Sequence, residues 1–135
     1  MSYPISEIRE IGPAMAEKLK AQRIRTTTKL LQRTKNLRGR QELAAKIGVP
    51  ETTLLKWANL SDRMRIKGVG EDYAHLLAAA GVDTVRELKY RNPKNLAQAM
   101  AKQNEKRKLV QLLPSEKAVT KWVEYAKGLP LMISY

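Results

Sequence analysis

Cysteine is absent from the 135 residues, which excludes disulfides, thiolate metal sites and thiol nucleophiles. Phenylalanine is absent too and aromatics make up only 5%, a composition that disfavours single-strand binding by base stacking. The one histidine, His75, has no second imidazole or thiolate with which to share a metal. No Gly-rich loop ends in Lys-Ser or Lys-Thr, so a P-loop phosphate cradle is missing. A nucleophilic lysine of the glycosylase kind would need a pocket for a flipped base, for which the chain is short. Long apolar runs are missing as well: none approaches the roughly 18 residues of a membrane span. Residues 1–11 carry charges every few positions and lack the apolar centre of a signal peptide. The expectation is a cytoplasmic chain with no cofactor, no metal, no membrane association and no enzymatic activity.

What is present in excess is positive charge. Lys and Arg number 26 against 13 Asp and Glu, a formal +13. Such an imbalance favours polyanionic partners, with nucleic acid first among them and an anionic membrane second; an acidic protein is a further possible partner. The densest stretch is 18–46, where Lys18, Lys20, Arg23, Arg25, Lys29, Arg33, Lys35, Arg38, Arg40 and Lys46 are opposed only by Glu42. Arg63, Arg65 and Lys67 form a second group, and Lys106, Arg107 and Lys108 a third.

The chain also repeats itself. At an offset of 58, Ile8-Arg9-Glu10-Ile11-Gly12 falls on Ile66-Lys67-Gly68-Val69-Gly70. Ala16, Leu19, Ile24, Thr26 and Leu30 fall on Ala74, Leu77, Val82, Thr84 and Leu88. Further on the offset is 65, pairing Glu51, Lys56 and Trp57 with Glu116, Lys121 and Trp122. The second copy therefore carries about seven extra residues, placed between Asn95 and Pro114. The expected division is 1–61 and 62–135, two tandem repeats forming one compact unit.

Local signals are helical throughout. Residues 14–21 and 73–80 are rich in Ala, Leu and Lys at helical spacing. Pro13 suits a first turn, Gly81 a C-cap, Thr84 with Glu87 a capping box, and Asn92-Pro93 a further start. Gly128 and Pro130 end the last helix. Strand signals are confined to Leu131-Met132-Ile133, and with Tyr3-Pro4-Ile5 this tail is short, apolar and extended in character. The two segments are expected to pack within the core, or alternatively to meet a second copy. Trp57 and Trp122 are read as core anchors. The fold class expected is all-α, with a SAM-like helix-hairpin-helix architecture.

Lys67-Gly68-Val69-Gly70, followed by Ala74 and Leu77, has the pattern of a helix-hairpin-helix turn. Glycines allow the reversal and bring bare backbone towards a ligand, and the next helix offers free N–H groups to an anion. The chain resembles an uncharacterised bacterial family of two-repeat helix-hairpin-helix proteins, classed as a domain of unknown function. The resemblance runs through residues 8–16, 54–58 and Met64-Arg65-Ile66-Lys67-Gly68-Val69-Gly70, and implies the fold but no reaction, ligand or partner. By analogy with the wider helix-hairpin-helix class, the expected role is sequence-independent DNA binding. The candidate contacts are Gly12, Lys18, Arg38, Arg40, Arg65, Lys67, Gly68 and Gly70. Two departures oppose phosphate binding at the hairpins: Glu10 replaces the opening glycine of the first, and Glu71 and Asp72 follow the second. A protein-interaction module is the alternative, because there no phosphate is needed at either hairpin.

Residues 43–57 also match a helix-turn-helix in spacing, with a second helix from Glu51 exposing Thr52, Thr53 and Lys56. The match is lost in the second copy, so the stretch is read as two helices joined at Gly48. These patterns leave the oligomeric state open.

Overall fold

The computed structural model describes all 135 residues, and they form an all-α protein. A short 3-10 turn at Ile5–Glu7 precedes eight helices: α1 (Gly12–Ala21), α2 (Thr27–Thr34), α3 (Leu37–Ile47), α4 (Glu51–Arg63), α5 (Glu71–Ala79), α6 (Val85–Lys89), α7 (Pro93–Arg107) and α8 (Glu116–Lys127). Most helix starts are written into the local sequence. Thr26, Asn36, Asn92 and Ser115 each accept a hydrogen bond from the backbone N–H three residues on, which satisfies a donor the helix leaves orphaned. At α6 the Glu87 carboxylate accepts from both the N–H and the hydroxyl of Thr84 (2.9 and 2.8 Å). Pro13 and Pro93 occupy first turns, where the missing N–H is no loss.

The chain divides into two compact units. One comprises Met1–Arg65 together with Met132–Tyr135; the other is Ile66–Leu131. In the first unit α2 packs on α3 and α4, and α1 packs on α3. Its core includes Ile5, Leu19, Ile24, Leu30, Leu43, Leu54 and Leu60, all fully buried. In the second unit α8 packs on α6 and α7, and α5 on α7, around Leu77, Val82, Val85, Leu96, Met100 and Val119.

Tyr3-Pro4-Ile5 and, from Met132 on, the tail belong to the first unit, on different elements. Pro4 bridges to Thr26 in antiparallel fashion, with the Ile5 N–H donating to Arg25 O and the Thr27 N–H to Tyr3 O. At the other end the Ser134 N–H donates to Lys35 O at 2.7 Å. Ile133 is buried against Leu31 and Ala58, with Leu55 and Met132 beside it.

Apolar positions matched at offset 58 are buried in both halves: Ile8 with Ile66, Ile11 with Val69, Leu19 with Leu77, Ile24 with Val82, and Leu30 with Leu88. Trp57 and Trp122 are both buried. The turn after the first helix of each unit also agrees in detail. Ile24 N–H donates to Leu19 O and Val82 N–H to Leu77 O, each at 2.9 Å. Arg23 and Gly81 both have positive φ, at 63° and 94°. Arg33 and Arg91 each donate from Nη1, to Gln22 O and Ala80 O respectively, both at 3.1 Å.

Candidate nucleic-acid interface

The two glycine-bearing loops differ in backbone. In the second unit Gly68 has φ +92°, and Gly70, in extended conformation, caps α5. A Cβ on Gly68 would be strained at φ +92° and would lie a tight 3.3 Å from Trp122 Nε1, so glycine is favoured there. Trp122 in turn meets the Tyr73 ring at 5.3 Å between centroids. In the first loop it is Gly12 that has φ +78°. The left-handed residue has moved two places along, so no glycine is required at position 10 and Glu10 stands there without that strain.

Gly68, Gly70, Glu71, Asp72, Tyr73 and Val110 line a cleft of about 390 Å³. Its far wall is held in place by two clamps. Tyr73 donates its hydroxyl to Leu112 O (2.9 Å). The Asn104 amide donates to Val110 O (3.0 Å) and accepts from Val110 N–H (2.9 Å). Leu112 and Leu113 are exposed on the same segment. The mouth is thus carboxylate and apolar in character: Glu71 pairs with His75 Nε2 at 3.2 Å, and both acids favour the positive end of α5. Lys67 is exposed next to Gly68.

The basic segment 18–46 separates into structural and available cations. Arg40 was expected on the surface and is only 1% exposed. Its Nε donates to Glu51 Oε2 (3.2 Å) and its Nη1 to Thr34 O (2.9 Å). It therefore ties the last turn of α2 to the first of α4. The correction has a simple physical cause: α3 buries Arg40, Leu43, Ala44 and Ile47 along one stripe, and position 40 lies on it. Arg33 is half-buried on the Gln22 carbonyl. By contrast Lys18, Arg23, Arg25, Lys29, Lys35, Arg38 and Lys46 are exposed.

Several of these are linked into one patch. Lys18 Nζ reaches Ile47 O at 3.4 Å, next to Lys46. Arg38, Glu42 and Lys46 follow one another at helical spacing along the exposed side of α3. Arg38 Nε donates to Glu42 Oε1 at 3.1 Å. Arg33 and Arg38 line one cleft of about 400 Å³ with Gln32, Asn36, Gly39 and Glu42. Arg33 then contacts Gln22, beside Arg23. Arg38 and Lys46 thus share the exposed side of α3, which the four-residue spacing signals in the sequence. Lys18 is bonded at the end of that helix, and the half-buried Arg33 lies in the Arg38 cleft, its carbonyl partner next in the chain to the exposed Arg23.

The other basic groups divide in the same way. Arg63 is buried, and Arg65 donates to Asp62 Oδ1 at 2.8 Å. Partial burial, and then the Arg65 charge, lower the pKa of the Met1 amine, which donates to Arg65 O at 2.9 Å. Lys106, Arg107 and Lys108 are all exposed at the end of α7. At the helix-turn-helix-like stretch, Gly48 ends α3 with φ +76°; Thr52 and Lys56 are exposed on α4 and Thr53 is half-buried.

This geometry defines an all-α protein of two four-helix units, with a cationic surface on the first. The chain belongs to the family described as a domain of unknown function, DUF4332, whose model matches residues 9–129. No curated protein and no solved structure matches it.

Proposed function

We propose that the protein is a non-enzymatic, sequence-independent nucleic-acid-binding protein of the cytoplasm, with DNA its expected partner. The observation that carries this reading is the linked patch Lys18, Arg23, Arg33, Arg38 and Lys46. Its acid on α3, Glu42, is engaged by Arg38. A predominantly cationic surface meets a phosphate backbone without reading bases. The reading as two tandem helix-hairpin-helix repeats, 1–61 and 62–135, is supported by the matched burial, the matched turn after each first helix and the paired Arg33 and Arg91 caps. Gly12, Lys67, Gly68 and Gly70 remain candidate contacts at the hairpins, secondary to Lys18 and Arg38. Arg40 and Arg65 act in this scheme by holding the fold.

Fluorescence anisotropy on a labelled duplex across a salt series tests the proposal. If about five of these cations meet phosphates, log K falls against log salt with a slope of about −4 to −5. Arg38→Glu combined with Lys46→Glu lowers affinity and flattens that slope. Binding that ignores both changes overturns the proposal.

One observation favours a second reading, a protein-docking module. The second-unit cleft is lined by Glu71, Asp72, Tyr73 and Val110, and the chain beyond Val110 runs on to the exposed Leu112 and Leu113, which suits a protein surface better than a phosphate. An acidic protein would then be the partner of the first-unit patch. Absence of duplex binding, together with capture of one acidic protein that Arg38→Glu abolishes, selects this reading.

A further inference from the structure

Tyr90 is the most exposed large apolar side chain of the molecule, at 79%. It caps the end of α6, and the backbone around it is firmly pinned. The Arg91 N–H donates to Leu88 O at 3.1 Å, and the Arg91 guanidinium to Ala80 O at 3.1 Å. Two residues on, Asn92 accepts from the Asn95 N–H at 3.0 Å. The ring is therefore displayed from a rigid turn, so little side-chain and loop ordering is left to oppose binding.

Its surroundings are cationic. Lys89 Nζ lies 5.6 Å from the ring centroid, covering one face while the overall exposure leaves the other to solvent. Arg86 and Lys94 are exposed nearby in the chain, and Arg91 is half-buried. Between residues 84 and 104 the only acid is Glu87, whose carboxylate is held by Thr84. The first unit has nothing equivalent. At offset 58, Tyr90 corresponds to the exposed Gln32 and Lys89 to the buried Leu31.

A rigid, open aromatic face with Lys89 over its other side, on a basic stretch of chain, suits a ligand that is both anionic and flat. Nucleotides have both properties, but a duplex hides its base faces in the stack, and only an unpaired base presents one. We infer that Tyr90 is a stacking platform for an unpaired base, giving the second unit a preference for nucleic acid with a single-stranded end or flap. This rests on the proposed nucleic-acid function and names the substrate form. Aromatic scarcity still argues against long single-strand tracts; a single platform serves one or two nucleotides.

The test compares wild type, Tyr90→Ala, Tyr90→Phe and Tyr90→Trp on a fully paired duplex and on the same duplex with a short single-stranded flap. Stacking of one base predicts that Tyr90→Ala weakens flap binding roughly tenfold and leaves duplex binding within about twofold. Phe and Trp retain the ring and keep the preference. Equal affinity of wild type for both substrates, a loss in Tyr90→Ala common to both, or Phe as weak as Ala would overturn it. If Tyr90→Ala changes nothing while Arg38→Glu with Lys46→Glu weakens duplex binding, this inference alone falls. If wild type binds neither substrate at physiological salt, the underlying function falls with it.

Discussion

Arg40→Met removes a guanidinium while keeping most of the apolar stem. The structure gives the size of the effect. Arg40 is 1% exposed and makes hydrogen bonds to Glu51 and to the Thr34 carbonyl. Removing one partner of a buried ion pair costs about 3–5 kcal/mol. Glu51 is 28% exposed and regains some water, which places the loss at the lower end, about 3 kcal/mol. Against a stability of roughly 5–15 kcal/mol for an ordinary domain, that is a large fraction. Urea denaturation followed by circular dichroism reads it as a lower midpoint at unchanged slope. A loss below about 1 kcal/mol would refute the assignment of Arg40 as a staple. So would a folded Arg40→Met protein that binds duplex as weakly as the Arg38→Glu, Lys46→Glu variant, because the guanidinium would then be reaching phosphate.

Other outcomes follow from single residues. Gly68→Val forces a β-branched residue to φ +92° and towards Trp122, and should destabilise by about 2–3 kcal/mol in thermal or urea unfolding; Gly70→Ala, with open space around it, should change stability by less than about 1 kcal/mol. Arg23→Gly relieves a non-glycine left-handed residue and should raise stability by up to about 1 kcal/mol, while weakening duplex binding as one patch cation is lost. Ile133→Ser uncovers Leu31 and Ala58 and should lower stability by about 2 kcal/mol, read by urea unfolding with a probe in the first unit.

The helices were legible because their start signals are local. Thr26, Asn92 and Thr84 need only the next three residues to act. The helical reading of 43–57 and the burial of both tryptophans were likewise carried by spacing. The availability of charge was not legible by counting. Arg40, Arg63 and Arg65 look like any other basic residues in the sequence. Arg40 and Arg65 are claimed by Glu51, Thr34 and Asp62, brought in by tertiary packing or a helix turn, and Arg63 is buried at the end of α4. Glu10 shows what the pattern did not reveal about the backbone: the left-handed residue of the first loop is Gly12, so a glycine is not needed at position 10. The tail shows a third limit. Its apolar character was visible, but its seat on Leu31, Leu55 and Ala58 is a contact across roughly a hundred residues that no local pattern encodes.

That seat has a consequence for the order of events during synthesis. The residues that complete the first unit, Met132–Tyr135, follow the whole of Ile66–Leu131. On a ribosome the second unit emerges entire before the first has received its last piece. Vectorial folding, which usually matures the earlier domain first, is here inverted for one step: the first unit waits, with Leu31 and Ala58 uncovered, until Met132–Tyr135 leave the exit tunnel.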